Sequence, residues 1–203
     1  MRLPAMKTTM LWLGLLTCTA ARLDAQAVEP PKLWLTAYIQ LYGSMGQFID
    51  PGSDSRWLFG DNTFGLGTAL HYDVTPTIAL GVDVGFAQPA YQRVDPDDGS
   101  IIKAGDAQVF TAFATGRMAY GGGADLGFYL TGGAGTIAYR LDDLGELNAD
   151  LALRAGTGLE YRWTARRRVF LEWGRVWGYH EKEGLSGGKA THSVLELGIR
   201  AGF

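Results

Sequence analysis

Ser193-Val194-Leu195-Glu196-Leu197-Gly198-Ile199-Arg200-Ala201-Gly202-Phe203, the carboxy-terminal stretch, decides the fold. From Leu195 every second residue is apolar, and Val194, Glu196, Gly198, Arg200 and Gly202 fill the positions between. A strand sends successive side chains to opposite faces, so one face of this segment is apolar while the other carries charge and glycine. A soluble sheet would bury the apolar face under a second layer. The same alternation recurs along the chain without helical segments to supply that layer, which predicts a sheet closed on itself with the apolar face outward.

The chain has 203 residues, 47% hydrophobic, 12% aromatic and 19% charged, with 29 glycines. That is too polar for a bundle of membrane-crossing helices. The one compact apolar run, Met10 to Leu16, is well short of the about 20 residues a spanning helix needs. Arg2 and Lys7 precede that run and Ala25-Gln26-Ala27 follows it, the order of a secretory signal cleaved after small residues. Residues 1–27 are therefore expected to be a signal peptide and residues 28–203 the mature barrel domain. The single cysteine, Cys18, falls inside that signal, with Thr17 where a lipoprotein signal needs a small residue. The mature chain would then have no thiol for a disulfide or a metal. A formal net charge of -3 argues against nucleic acid as a partner. The basic cluster Arg166-Arg167-Arg168 reads as a turn between strands.

Eight strands follow from the alternation. In the first, Leu33, Leu35, Ala37, Ile39 and Leu41 face one way and Trp34, Thr36, Tyr38, Gln40 and Tyr42 the other. The second is expected from about Trp57 to Asp73, and the third alternates Ile78, Leu80, Val82, Val84 and Phe86 with Ala79, Gly81, Asp83, Gly85 and Ala87. Gln88 to Ala104 reads as a loop. The fourth strand, about Gly105 to Tyr120, is open in its facing, because Val109, Thr111 and Phe113 compete with Phe110, Ala112 and Ala114. The fifth covers Leu126 to Arg140. The sixth sets Arg154, Glu160 and Arg162 inward, the seventh Phe170, Glu172 and Gly174, and the eighth is the terminal run. Three short turns alternate with four longer loops, which puts the termini and the turns on one side of the membrane, the periplasmic side, and the loops outside. Aromatic residues near the strand ends are candidate interfacial girdles: Trp34, Tyr72, Tyr120, Tyr161, Trp163 and Phe203 on the turn side, with Tyr42, Trp57, Phe86, Tyr139, Trp177 and Tyr179 on the loop side.

With these features the chain resembles the small OmpA/OmpX-type outer-membrane barrels over essentially its whole mature length. The resemblance implies an all-β fold, an eight-stranded antiparallel up-and-down transmembrane barrel in the bacterial outer membrane, in contact with outer-membrane lipid and lipopolysaccharide. It also implies insertion by the outer-membrane assembly machinery, with Leu195, Leu197, Ile199, Ala201 and Phe203 as the assembly signal. Function stays open, because barrels of this type serve as structural proteins, adhesins and, in a few cases, lipid-modifying enzymes.

The dense inward constellation is Asp83, Arg154, Glu160, Arg162, Glu172, Glu196 and Arg200. It reads as a structural polar network filling the lumen, since charges away from water are tolerated when paired. With four acids against three bases, nearly every group can find a partner if the strand registers allow it. A narrow ion pore is the alternative use of the same residues. Gly133-Ala134-Gly135-Thr136-Ile137-Ala138 matches a nucleotide-binding fingerprint in letters, but the fingerprint works only at a turn opening a helix, and this stretch alternates as a strand. A rim-sited lipid-A-modifying hydrolase is the enzymatic alternative, with His192, Ser193 and the acids Glu181, Glu183 and Glu196. Lipid-A deacylases of the PagL kind carry their histidine and serine two apart and thus on one face; here the two are adjacent and face oppositely in an unbroken strand. The histidines His71, His180 and His192 are too scattered for a metal site, and no cofactor is expected. Acids in the loops, among them Asp50, Asp54, Asp95, Asp97, Asp98, Asp142, Asp143, Glu181 and Glu183, are solvated or meet divalent cations or an extracellular ligand. The reading is a non-enzymatic barrel with a structural or surface-interaction role. Amino-terminal sequencing of the exported protein is expected to begin at Val28, and a start at lipid-modified Cys18 would contradict this.

Overall fold

The computed structural model describes residues 32–45, 47–49, 56–59, 63–95, 97–120, 125–141, 147–179 and 189–203. The strands are β1 (Leu33–Met45), β2 (Gln47–Ile49), β3 (Arg56–Phe59), β4 (Thr63–Asp73), β5 (Ile78–Ala87), β6 (Ala90–Val94), β7 (Ile101–Tyr120), β8 (Leu126–Leu141), β9 (Leu147–Thr164), β10 (Arg167–Tyr179) and β11 (Lys189–Gly202). The expected signal peptide and the acidic stretches at 142–146 and 180–188 lie outside the described residues.

Eight of these strands form the barrel. Each pairs antiparallel with the next in the order β1, β4, β5, β7, β8, β9, β10, β11. β11 then returns to β1, from Trp34 opposite Gly202 to Tyr42 opposite Val194, and closes the sheet. Closure matters physically, because in hydrocarbon an open sheet edge would leave a row of backbone groups without partners. The pairing reaches the last residue, where the Phe203 amide donates to the Leu33 carbonyl at 2.9 Å. At the first short turn the Ile78 amide donates to Thr75 Oγ1 at 3.0 Å, so the threonine caps the reversal.

Outward positions form an apolar belt. Leu35, Leu66, Leu80, Val82, Leu159 and Leu197 are each close to half exposed or more, around the whole circumference. A water-soluble domain does not present so continuous an apolar surface. The facing of the fourth barrel strand is resolved: Val109 and Phe113 are buried and Phe110 is exposed, so the odd-numbered residues of β7 point inward. Inside, small residues accommodate large ones, as anticipated for an eight-stranded barrel. A Cβ on Gly67 would collide with the Tyr38 ring, and one on Gly156 would stand 2.7 Å from both Glu172 Oε1 and Thr131 Oγ1.

Several expectations need correcting. Residues 88–104 are not an irregular loop: β6 and the first residues of β7 pair as a hairpin, turned at Gly99 with φ +73°. The second strand does not run unbroken from Trp57, since β3 leaves the barrel and pairs with β2 and β6 as a sheet extending beyond the wall. Trp34, Tyr42 and Tyr139 are buried at 3%, 1% and 5% exposure, so they fill the lumen instead of joining a girdle. Strand periodicity outranks position along the strand in setting where an aromatic side chain goes. Tyr72, Tyr120, Tyr161, Trp163 and Phe203 do stand outside at the turn end.

Candidate functional site

The interior is layered along the barrel axis. The middle layer centres on Arg154 of β9. Its Nη1 lies 3.3 Å from Asp83 Oδ2, and its Nη2 lies 2.8 Å from Glu172 Oε1 and 2.6 Å from Glu196 Oε2. Further donors serve the same carboxylates: Tyr38 Oη donates to Asp83, Thr131 Oγ1 to Glu172 at 2.8 Å, and Gln40 Nε2 to Glu196 at 2.8 Å. Tyr42 Oη donates in turn to Gln40 Oε1 at 3.1 Å.

The layer nearer the short turns inverts this charge pattern. Glu160, also on β9, takes Arg117 Nη2 at 2.9 Å and Arg200 Nη1 at 3.3 Å on Oε2, with Arg168 Nη1 at 2.8 Å on Oε1. Aromatic faces stabilise the surplus of cations. Arg117 lies 4.0 Å over Tyr129, Arg200 4.9 Å over Phe170, and Arg168 4.2 Å over Trp34. Counted from the loop end, one arginine with three acids therefore sits above one acid with three arginines. Together they balance at four charges of each sign.

Of the residues expected in the lumen network, Asp83, Arg154, Glu172 and Glu196 meet in the first set and Glu160 and Arg200 in the second. Arg162 joins neither. It reaches the rim, where its side chain is 38% exposed and 3.6 Å from Asp125, because it sits at the end of β9. Pairing is by two hubs, Arg154 and Glu160. Sequence reasoning missed Arg117 and Arg168, both of which could have been placed: a charged side chain in a spanning strand must face inward, which fixes β7, and Arg168 shares the parity of Phe170 and Glu172.

Toward the loops the lumen turns apolar. Val109, Phe113, Ile137, Val176 and Val194 pack with Tyr42, Tyr91 and Tyr139 into one buried cluster. Beside Val176 in this cluster His192, fully buried, meets Tyr139 Oη through Nε2 at 2.7 Å. Ser193, its neighbour, takes the opposite face of β11, as strand alternation requires, so the two do not form a dyad. The hexapeptide Gly133–Ala138 lies within β8 and opens no helix. Between the charge layers lies a cavity of about 20 Å³, bordered by Thr36, His71, Arg154, Glu172 and Arg200 among others. Such a volume has room for about one water molecule.

Among the described loop acids, Asp95 and Asp98 serve their own turn. Asp95 Oδ1 accepts from the Asp97 amide at 2.9 Å, and Asp98 Oδ1 from the Ser100 amide at 2.8 Å. The hydrogen bonds from Ser100 hold the Asp98 carboxyl below its ordinary pKa. Among the described residues no three His, Cys, Asp or Glu side chains are arranged to hold a metal ion.

The hubs generate a stability prediction. Arg154 and Glu172 touch, whereas Arg154 and Glu160 stand six residues apart on one strand, about 20 Å along it. A double-mutant cycle of Arg154→Met with Glu172→Gln, followed by urea unfolding in lipid vesicles, should give a coupling of about 1–3 kcal/mol. The cycle of Arg154→Met with Glu160→Gln should be additive within about 0.5 kcal/mol. Equal coupling in both cycles would contradict two separate clusters.

No family model matches the sequence, and neither does any curated protein. Solved structures do match in shape. The outer membrane protein OprG of Pseudomonas aeruginosa superposes with a TM-score of 0.56 at 13% identity, over 89% of this chain and 99% of its own. The outer membrane protein AlkL gives 0.55 at 16% identity, over 90% and 95%. Neisserial surface protein A gives 0.55 at 14% identity, over 84% and 97%. At such identities the likeness carries the fold alone, and with the closed ring of eight strands and its apolar belt it shows that this chain has the fold of the small eight-stranded outer-membrane barrels.

Proposed function

We propose that the protein is a non-enzymatic integral outer-membrane barrel with a structural or surface-interaction role and a lumen that does not conduct. The observation that carries this reading is the filled interior: two charge layers, a cavity of about 20 Å³ between them, and an apolar cluster toward the loops. An ion crossing that cluster would shed most of its water among valine, isoleucine and phenylalanine side chains, with a few tyrosine hydroxyls replacing only part of its shell. The inward charges therefore act as mutual partners and not as stations on a path. The opposite facing of His192 and Ser193 favours the non-enzymatic reading.

In this reading residues 1–27 direct export, and Leu195, Leu197, Ile199, Ala201 and Phe203 present the pattern that the assembly machinery engages. Both termini and the short turns lie in the periplasm, and lipopolysaccharide surrounds the loop end. The sheet of β2, β3, β6 and the start of β7 then stands outside the cell as the surface available to an extracellular partner.

The test is a pair of measurements on one preparation. In planar lipid bilayers the purified barrel is expected to give no discrete current steps, and after incubation with lipid A the mass profile of the lipid is expected to be unchanged. Reproducible steps would establish the pore instead. Loss of an acyl chain from lipid A, absent from a heat-denatured control, would establish the hydrolase.

A further inference from the structure

We propose that the turn-end rim formed by β9, β10 and β11 binds the phosphate headgroup of an anionic phospholipid in the periplasmic leaflet; this rests on the orientation proposed above. The segment Arg162-Trp163-Thr164-Ala165-Arg166-Arg167-Arg168 concentrates four arginines around one short turn. The other two short turns, Val74 to Thr77 and Gly121 to Ala124, hold no basic residue. The basic character is thus confined to one sector of the rim.

The arginines of this sector divide by facing. Arg168 turns inward to Glu160 and Trp34. Arg166 is exposed at the turn, and Arg167 shares the outer face of β10 with Leu171 by strand alternation. Arg167 stands opposite Ala201, two residues from Phe203, and the Gly202 amide donates to the Arg166 carbonyl at 2.9 Å. Around it on the outer face are Tyr161, Trp163 and Phe203, exposed at 51%, 63% and 70%. Rings of this kind settle at the headgroup level of a bilayer.

An arginine on the lipid-facing wall cannot leave its charge in hydrocarbon, so its guanidinium extends to the interface. There a phosphate accepts two parallel N–H bonds from it, a geometry an ammonium cannot offer. Apart from the two charge layers, the described charges at this end are Lys32, Arg162, Arg166 and Arg167 against Asp73 and Asp125, and Asp73 already accepts from Trp34 Nε1 at 2.8 Å. The net positive rim favours a headgroup with uncompensated negative charge over a zwitterionic one.

The probe is phosphatidylglycerol against phosphatidylcholine, with retention on the detergent-purified barrel read by native mass spectrometry. The wild type should keep phosphatidylglycerol in preference, and the Arg166→Gln/Arg167→Gln variant should lose the preference by about fivefold per arginine. Arg166→Lys/Arg167→Lys should restore only part of it, because the charge returns without the paired N–H bonds, and heat-dependent gel mobility checks that each variant is folded. Equal retention by the wild type and the glutamine variant would overturn the site. A separate readout tests the leaflet: Ala165→Cys should react with a membrane-impermeant maleimide only after the outer membrane is permeabilised. Labelling in intact cells would overturn the periplasmic assignment, whatever the detergent result.

Discussion

Arg154 can occupy the middle of the barrel only because three carboxylates converge on it. A guanidinium removed from water without partners would cost several kcal/mol even after the surroundings relax. Here Asp83 from β5, Glu172 from β10 and Glu196 from β11 all come within 3.3 Å of it. β10 and β11 follow β9 around the ring and β5 stands across it, so the contacts tie the interior across the lumen as well as along the wall. The carboxylates depend on the arginine equally. Without it they would face one another at close range, and the donors Tyr38, Gln40 and Thr131 could not cancel their charge.

Each hub is incomplete by itself, and the pair makes the interior neutral. The acid-rich layer around Arg154 and the base-rich layer around Glu160 lie one above the other, each with two charges of excess. Attraction between the layers offsets what remains unbalanced within them. The arginines of the lower layer are further accommodated by Tyr129, Phe170 and Trp34, whose negative faces take the place of counter-ions. Glycines set the spacing that permits this, as at Gly156, where a side chain would displace Glu172 from its place beside Arg154. Above the charges the buried cluster packs the lumen toward the loops, so the barrel resembles a soluble core turned inside a lipid-facing wall.

The wall was legible in the sequence and the network only partly so. Alternation in Leu195 to Phe203 and in Ile78 to Ala87 dictates inward and outward residues directly, and the structure follows it residue by residue. The facing of β7 was hidden because Val109, Thr111 and Phe113 are as apolar as Phe110, Ala112 and Ala114; the charge on Arg117 breaks the tie. Which acid stands level with which arginine was not legible, because it depends on the stagger between strands, which no single strand encodes. For that reason the sequence called for a paired network but not for its two hubs. Trp34 and Tyr42 were placed at the interface on their nearness to strand ends, although their own parity sends them inward.

The central claim is that interior charges depend on their hub more than on any single spoke. The most direct measurement compares urea unfolding in lipid vesicles of Arg154→Met with that of Arg200→Met. Removing Arg154 strands three carboxylates and should cost about 3–5 kcal/mol. Removing Arg200 leaves Glu160 with Arg117 and Arg168, and should cost about 1–3 kcal/mol. Equal losses, or a greater loss for Arg200→Met, would contradict the two-hub interior.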